Sequence, residues 1–251
     1  MIVTLLTDFG TSDSYVAEMK AALLSRAPAA TLVDITHQLS PGDVRAAQYL
    51  LARTWARFPQ GTIHLAIVDP GVGSERRAIG AESGGHRFLA PDNGLLSFLP
   101  RDATFFSLPI PANAAPTFHG RDIFAPAAGA LANGTWLTEL GAPITDPHLS
   151  PLPSPRHEDD GVIGEVVYVD RFGTLVSNIP ASMLTQANHV HVGGVDVGPV
   201  RRTFSDVAAG ALIALTGSGG AVEVAVRDGS AAKELGVGVG AKVEVQMRRK
   251  A

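Results

Sequence analysis

The fold is decided by the stretch Ile63–Val68 (IHLAIV) and the loop that follows it, Asp69–Arg77 (DPGVGSERR). The stretch is almost continuously apolar, which is typical of a central strand buried on both faces of a parallel sheet. In open α/β sheets, ligands bind just past the carboxyl ends of such strands. The loop places the carboxylate of Asp69 at that edge and then supplies two arginines, so it is the first candidate for a functional site.

The composition is that of an ordinary globular protein. The chain has 251 residues, of which 45% are hydrophobic and 18% charged, enough to form a core in one large domain or two modest ones. It contains no cysteine, which excludes disulfides, thiol nucleophiles and cysteine metal sites. The net charge of −4 gives no electrostatic reason to expect nucleic acid as a partner.

The N-terminal sequence MIVTLLTD lacks a basic region and reaches an acid, Asp8, early in the chain. No uninterrupted apolar stretch approaches the roughly 20 residues needed to cross a bilayer. We therefore expect a soluble cytoplasmic protein with no membrane partner.

Strand patterns and helix patterns alternate in the first part of the chain, with strands predicted at 2–6, 31–35 and 63–68 and helices at 14–26 and 44–58. This alternation predicts a mostly parallel sheet with flanking helices. The pattern ends in a proline-rich segment that also carries an acidic run at 158–160. We therefore predict an N-terminal α/β domain at 1–150 and a linker at 151–161.

The remainder, 162–251, is predicted to form a small all-β, barrel-like domain. Short valine-rich runs separated by glycine-bearing turns lie at 164–169, 190–192, 211–216, 221–226 and 242–247. The segment 229–240 is rich in small residues, which predicts a turn and a close-packed corner.

Three polar clusters are candidates for chemistry, and each also has a purely structural interpretation. Asp8 follows the first strand and Asp69 the third, so a parallel sheet places both at one edge, although Asp8 could instead cap a helix. His119, in the motif FHGRD, could be a hydrogen-bonded polar residue beside a structural ion pair. Asp170 and Phe172 lie at a strand end, where they could form a turn and fill a core.

Together these segments form a series of motifs in a fixed order: Thr7-Asp8-Phe9-Gly10, Asp34-Ile35-Thr36-His37, Val68-Asp69-Pro70-Gly71-Val72-Gly73, Pro91-Asp92-Asn93-Gly94, Phe118-His119-Gly120-Arg121-Asp122, and Asp170-Arg171-Phe172-Gly173 with Ser177-Asn178-Ile179. In this order they resemble the S-adenosyl-L-methionine (SAM) hydrolases that form adenosine. This family is also called SAM hydroxide adenosyltransferase and is related to the fluorinase and chlorinase. The resemblance extends from Thr7 to about Val226.

The resemblance implies that SAM is hydrolysed to adenosine and L-methionine by in-line attack of an activated water or hydroxide on the 5′ carbon, without a cofactor or a metal. The Asp-Arg-His set that directs the water in the family matches Asp69, Arg76 and His119, with Arg77 as the alternative arginine. Arg76 would lower the pKa of the water, while Asp69 and His119 would accept hydrogen bonds from it. Tyrosines match Asp69 and His119 in the halogenases, and a serine that contacts fluoride in the fluorinase matches Gly120.

The resemblance also implies a homotrimer whose active sites lie between the N-terminal domain of one subunit and the C-terminal domain of its neighbour. It implies that Asp8 contacts the ribose hydroxyls, Asp170 the methionine ammonium and Ser218 the methionine carboxylate. Glu223 would make further contacts with methionine, and the backbone of Val226 would contact adenine. Phe172 would pack on the substrate. Two positions depart from the family pattern: Thr174 replaces a common asparagine, and Ala221 replaces a tyrosine.

Two other functions are also compatible with the sequence. One is a halide-using 5′-halo-5′-deoxyadenosine synthase, which would depend on chloride or fluoride. The other is a non-catalytic module that binds adenosine or SAM, in which the ligand would stabilise the protein without being turned over.

Overall fold

The computed structural model describes residues 1–184 and 188–247. The chain divides into two compact units, Met1–Pro151 and Leu152–Ala251. Among the helices of the described residues, none combines the length and the apolar character that crossing a membrane requires.

The first unit is a seven-stranded sheet with helices packed on it. Its strands are β1 (Ile2–Thr7), β2 (Thr31–Thr36), β3 (Ile63–Ile67), β4 (Ala78–Ser83), β5 (His86–Pro91), β6 (Thr104–Leu108) and β7 (Ala142–Ile144). Its helices are α1 (Tyr15–Leu24), α2 (Val44–Thr54), α3 (Ala125–Ala132) and α4 (Leu137–Leu140), with a 3-10 turn at Trp55–Arg57 and a π-helical turn at Gly120–Phe124. The α/β class is confirmed.

The strand order β2-β1-β3-β5-β4-β6-β7 explains where the site lies. Strands β2, β1, β3 and β5 pair in parallel, whereas β4, β6 and β7 pair antiparallel. The chain passes from β1 to β2 on one side and then crosses to β3 on the other, so the direction of winding reverses between β1 and β3. Thr7 pairs with Ile67 at the carboxyl ends of these strands, and ligands bind at such switch points.

Helices α1 and α3 cover one face of the sheet. They share a core cluster with β1 and β3 that includes Leu5, Leu65, Met19, Leu23 and Phe124. The two helices approach each other closely at Gly129, where a Cβ atom would lie 2.8 Å from the carbonyl oxygen of Leu23. Only glycine permits this approach without displacement of a helix.

A pair of buried histidines, one on β3 and one on β5, packs on the other face of the sheet, because successive side chains of a strand point to opposite faces. Thr4 Oγ1 and His64 Nδ1 are 2.8 Å apart, and His64 Nε2 lies 3.1 Å from His86 Nδ1. The His64 ring also stacks on Phe88, with centroids 4.9 Å apart. Burial, and then the neighbouring His86, lowers the pKa of His64 to about 3, so this ring is neutral at pH 7.

The second unit is a nearly closed, barrel-like sheet of short strands. They are β8 (Arg156–Glu158), β9 (Gly161–Val169), β10 (Leu175–Pro180), β11 (Asn188–Val192), β12 (Val195–Gly198), β13 (Val200–Arg201), β14 (Leu212–Thr216), β15 (Ala221–Val226) and β16 (Lys242–Met247). Valines and other aliphatic side chains of these strands fill one core. The barrel-like architecture predicted from the valine-rich runs is therefore confirmed.

The second unit differs from the β-only prediction by two 3-10 turns, at Ala181–Met183 and Phe204–Asp206, and by one α-helix among its described residues. The segment 229–240, predicted as a turn and corner, contains helix α5 (Ala231–Leu235). Ser230 caps it by accepting a hydrogen bond from Lys233 N, and Gly236 ends it in the left-handed conformation. The helix was missed because it is too short for apolar residues to show helical periodicity.

Candidate active site

A cavity of about 600 Å³ lies at the carboxyl ends of β1 and β3. Three loops and the start of α1 line it with Asp8, Phe9, Tyr15, Glu18, Ile67, Asp69, Val72, Ala115, Thr117, Phe118, His119, Gly120 and Arg121. Asp8 and Asp69 thus share one cavity at the switch point of the sheet, because they lie one and two residues past the ends of two neighbouring parallel strands.

Asp69 and Arg76 form a buried bidentate ion pair beside this cavity. Arg76 Nε donates to Asp69 Oδ1 at 2.9 Å, and Arg76 Nη2 donates to Asp69 Oδ2. Their side chains are only 6% and 9% exposed, respectively. A buried guanidinium that meets both carboxylate oxygens fixes the orientation of the carboxylate as well as its charge.

The loop between the two residues can fold tightly because of Gly73. Gly73 has a φ of +78°, and a Cβ atom there would lie 2.6 Å from the carbonyl oxygen of Pro116. Any other residue at this position would push the two loops apart, and the second loop leads directly to His119. The glycine therefore lets the Asp69 loop and the His119 loop meet.

His119 is the third member of the hydrogen-bonded set. Its Nδ1 lies 2.9 Å from Arg76 Nη2. Since a guanidinium can only donate, Nδ1 must accept this bond, and the neutral ring then carries its proton on Nε2. Burial lowers the pKa of His119, and the charge of Arg76 lowers it further, so the neutral form is favoured.

This hydrogen bond determines which ring nitrogen of His119 can face a ligand. The resemblance implied that His119 accepts a hydrogen bond from the attacking water. In the structure its accepting nitrogen is already bonded to Arg76, so the nitrogen left for a ligand is Nε2, which is a donor. His119 is therefore placed to donate, whereas Asp69 supplies acceptor oxygens.

Arg77, the alternative arginine, lies in a different network. Its Nε donates to Asp92 Oδ2 at 2.8 Å, and its Nη1 donates to Asp146 Oδ1 at 2.8 Å. These bonds join the end of β5 to the segment after β7. Arg76 is thus the arginine that the structure brings to Asp69 and His119.

Asp8 is held by a loop and does not cap a helix. Its Oδ2 accepts a hydrogen bond from Gly42 N at 2.7 Å, and Gly42 belongs to the loop before α2. The cap position of α1 is occupied by Ser14, so the alternative of a helix cap at Asp8 is wrong. The carboxylate lines the cavity in an orientation fixed by this backbone contact.

An aromatic wall that sequence reasoning did not assign as a site closes one side of the cavity. The rings of Phe9, Tyr15 and Phe118 pack edge to face, with centroids 5.4 to 6.3 Å apart. A Cβ atom at Gly120 would lie 3.2 Å from Phe9 Cζ, so a serine at 120 would force this ring to move. The signal available in the sequence was the position of these aromatic residues next to Asp8 and His119.

Arg121, which also lines the cavity, packs on the same wall. Its guanidinium carbon lies 4.9 Å from the centroid of the Phe118 ring. Its Nη1 donates to Glu18 Oε2 at 2.9 Å, and its Nε donates to Asp122 Oδ1 at 2.6 Å. Ala115 N donates to the other oxygen of Asp122, so the structural ion pair expected in the FHGRD motif also anchors the loop.

The second unit has a cavity of its own, of about 920 Å³. It is lined by Asp170, Phe172, Thr174, Thr203, Phe204, Ser205, Glu223, Ala225, Val226, Arg227, Asp228 and Gly229. Of the predicted substrate-binding residues in this unit, Ser218 is not among those that line the cavity. It lies in the turn between β14 and β15.

The turn at Asp170 builds one rim of this cavity. Asp170 Oδ1 accepts hydrogen bonds from the backbone N–H groups of Phe172 and Thr174 at 2.9 and 2.8 Å. Gly173 has a φ of +80° and packs against Ser230, which leaves no room for a side chain. The turn interpretation of Asp170 is therefore confirmed, whereas Phe172 fills no core because it is 75% exposed.

Within the residues that the structure describes, no group of three or more His, Cys, Asp or Glu side chains is arranged to hold a metal ion.

Glu223, which lines the second cavity, lies very close to Gly217. A Cβ atom on Gly217 would fall 1.8 Å from Glu223 Oε1. The carboxylate thus packs directly on the backbone of the β14–β15 turn.

Comparison with known families decides the class of protein. Residues 3–141 match the SAM hydroxide adenosyltransferase N-terminal domain, and residues 164–244 match the SAM hydroxide adenosyltransferase C-terminal domain. The chain belongs to the SAM hydroxide adenosyltransferase family. The resemblance inferred from the ordered motifs is thereby confirmed.

Individual relatives match over three quarters to nearly all of the chain. A protein named (R)-S-adenosyl-L-methionine hydrolase from Thermus thermophilus is 42% identical over 97% of this chain and 98% of its own. A crystal structure of an uncharacterized conserved protein from Thermotoga maritima has a TM-score of 0.88 and 34% identity, covering 98% of this chain and all of that one. A protein named Fluorinase from an Actinoplanes species is 29% identical over 74% of both chains.

Proposed function

We propose that this SAM hydroxide adenosyltransferase hydrolyses S-adenosyl-L-methionine to adenosine and L-methionine. The observation that carries the proposal is the hydrogen-bonded set of Asp69, Arg76 and His119 beside one cavity at the switch point of the sheet. The name of the Thermus relative supports the R epimer of the sulfonium as the substrate.

The reaction joins a water oxygen to the 5′ carbon while the bond from that carbon to sulfur breaks. The electron pair of the broken bond stays on sulfur, so methionine leaves as a neutral thioether and needs no general acid. Asp69 accepts a hydrogen bond from the water and takes its proton, and Nε2 of His119 donates to the water oxygen. Arg76 holds both groups in place, which supplies positioning and electrostatic stabilisation.

Asp8 is the proposed ligand of the two ribose hydroxyls. Its carboxylate lines the same cavity as Asp69 and is oriented by Gly42. The faces of Phe9, Tyr15 and Phe118 offer an apolar surface against which the nucleoside packs. Ribose and reacting carbon are thereby held in fixed positions relative to Asp69.

We also propose a homotrimer in which the second cavity recognises the methionine and adenine parts of the substrate bound at a neighbouring subunit. Its residues Asp170, Phe172, Thr174, Glu223 and Val226 line that cavity, and Ser218 belongs to the adjacent turn. The exposure of Phe172 together with Phe204, which lines the same cavity, supports this arrangement, because large apolar side chains that are exposed side by side mark interaction sites.

The reaction is tested by incubating the protein with SAM in halide-free water enriched in ¹⁸O, with Asp69→Asn as the matched control. We expect adenosine that carries ¹⁸O on its 5′ oxygen, together with an equal amount of methionine, and neither product from the variant. A 5′-halogenated nucleoside formed only after halide is added would show a synthase instead. Thermal stabilisation by SAM without any product would show a binding module.

The shared site is tested by coexpressing two variants under different affinity tags, Asp69→Asn, which lacks the proton acceptor, and Asp170→Ala, which binds SAM weakly, and by assaying at a SAM concentration well below the KM of Asp170→Ala. If each site combines two subunits, mixed trimers contain some sites with both residues intact and regain part of the activity. No recovery in purified mixed oligomers, or a monomeric mass by light scattering, would overturn the shared site.

The cytoplasmic location and the domain boundaries 1–150, 151–161 and 162–251 stay predictions, which cell fractionation and limited proteolysis can test.

A further inference from the structure

The helix that carries His119 does not begin with ordinary α-helical geometry. Residues Gly120–Phe124 form a π-helical turn, in which Ala125 N donates to the carbonyl oxygen of Gly120. Such turns insert one extra residue into a helix and occur often at functional sites. Here the turn starts directly after His119, which is its N-cap.

The extra residue changes which side chains share a face of the helix. In an α-helix, residues five apart lie about 140° apart around the axis, because each residue turns by about 100°. With one residue inserted, residues five apart take the relative positions that residues four apart have in an α-helix. His119 and Phe124 are five apart, so the π-helical turn brings them to one side.

Both residues meet the same arginine on that side. His119 Nδ1 lies 2.9 Å from Arg76 Nη2, and the Phe124 ring centroid lies 5.6 Å from the guanidinium carbon. Phe124 is fully buried, and it belongs to the core cluster under α1 and α3. The ring is therefore a fixed surface for the cation, and burial strengthens the attraction between them.

The hydrogen bonds of Arg76 leave one end of its guanidinium unengaged. Nε and Nη2 are bonded to Asp69 and His119, whereas Nη1 is buried and has no hydrogen-bond partner among the described residues. Without the ring, the guanidinium could turn toward another acceptor for Nη1. Such a turn would break the bond that fixes the His119 tautomer.

We propose that Phe124 is a positioning residue: the π-helical turn places its ring against Arg76 so that Arg76 holds His119 with Nδ1 accepting and Nε2 carrying the proton. This inference rests on the proposed hydrolysis only for its effect on rate. The tautomer of His119 is a property of the protein itself, so it can be measured whatever the reaction is.

The test compares Phe124→Leu with Phe88→Leu, because both phenylalanines are fully buried but only Phe124 contacts Arg76. We expect Phe124→Leu to lower kcat roughly 10-fold while KM stays within about twofold, since the fault lies in positioning the reacting groups. Phe88→Leu should lower thermal stability and leave kcat and KM unchanged. Equal losses of kcat in both variants would overturn the proposal.

The second measurement is nitrogen NMR of ¹⁵N-histidine protein, with the His119 signal assigned by its loss in His119→Asn. We expect the Nε2–H tautomer in the wild type and in Phe88→Leu, and a mixture in Phe124→Leu. If Phe124→Leu does not fold, Phe124→Met keeps a similar apolar volume without a ring and serves in its place. An unchanged tautomer in a folded variant would overturn the proposal even if SAM is not hydrolysed.

Discussion

In the cavity of the first unit, polar side chains are buried and bonded to one another, whereas the cavity of the second unit carries an aromatic ring that is mostly exposed to water. Asp69 and Arg76 are held by each other and by His119. Phe172, by contrast, projects from a turn whose hydrogen bonds involve only Asp170 and the backbone. The polar groups of the first cavity are therefore oriented by contacts within the unit, whereas the second cavity presents an exposed aromatic side chain.

Under the proposed function, this difference corresponds to chemistry in the first cavity and substrate recognition in the second. Groups that must be oriented within fractions of an ångström are placed on a rigid sheet edge and supported by further contacts. Groups that recognise the ends of a substrate can stand on exposed turns, because binding itself orders them. Changes in the first cavity should therefore affect kcat, and changes in the second should affect KM.

The largest effect is expected for Asp69→Asn. Loss of the carboxylate removes the proton acceptor and leaves Arg76 buried without its counter-ion, so we expect kcat to fall about 1,000-fold and stability by about 3 kcal/mol. Adenosine release at saturating SAM and thermal unfolding measure the two effects. The matched variant is Asp170→Asn, whose amide oxygen can still accept both turn hydrogen bonds. A larger loss of kcat in Asp170→Asn than in Asp69→Asn would contradict this assignment.

The second effect is acid sensitivity of the first unit. The pKa of His64 in the folded protein, about 3, lies below its ordinary value of 6.5. Between these two pH values His64 is protonated in the unfolded chain but stays neutral in the folded chain, which favours unfolding. Its stabilising contribution is complete above pH 6.5 and is lost as the pH falls toward 3. By pH 5 the loss amounts to about 2 kcal/mol.

Tryptophan fluorescence can follow this loss in the first unit alone, because both tryptophans of the chain, Trp55 and Trp136, lie there. We expect the urea midpoint to be lower at pH 5 than at pH 8. In His64→Gln, which cannot be protonated, the difference between the two midpoints should shrink. A midpoint difference as large in the variant as in the wild type would assign the effect to other groups.

The third effect concerns Phe172→Ala in the second cavity. Since the ring is exposed, its removal should change subunit stability little, but it should raise KM for SAM about 10-fold with kcat nearly unchanged. Trp136→Ala is the control, because Trp136 is a similarly exposed aromatic residue that lines neither cavity. Steady-state kinetics give kcat and KM for both variants. A fall in kcat alone for Phe172→Ala would contradict the expectation that the second cavity affects KM.

The smallest effect is expected for Arg77→Lys. Arg77 is partly exposed and bonded to Asp92 and Asp146, far less buried than Arg76. We expect kcat and KM within about twofold of the wild type and a stability loss of about 1 kcal/mol or less. The same substitution at Arg76 should abolish most activity, since lysine cannot bond both oxygens of Asp69 and His119 together. Comparable kinetics for the two lysine variants would remove the distinction between the arginines.

Much of this architecture could be predicted from the sequence. The apolar run that became β3 identified a central strand, and the placement of Asp8 and Asp69 followed from two parallel strands with a polar residue directly after each. These features depend on local periodicity and on a general rule for sheet edges. For the same reason the barrel-like second unit could be foreseen from its valine-rich runs.

Other features depend on contacts that no local pattern records. Strand β4 pairs antiparallel with β5 and β6, and this extension of the sheet was not predicted because it requires long-range pairing. The π-helical turn before α3 could not be distinguished from an ordinary first turn, since the apolar spacing around it is compatible with either geometry. The aromatic wall was missed because Tyr15 meets Phe118 only through the fold.

Both arginines beside the first cavity have counter-ions supplied by the protein. Arg76 is paired with Asp69, and Arg121 is paired with Glu18 and Asp122. A dissolved anion therefore gains little by approaching either guanidinium, because it would have to displace a carboxylate that is already in place. We therefore expect chloride and phosphate to bind weakly at these two guanidiniums even at high salt concentration, so that dissolved anions seldom displace water from the cavity.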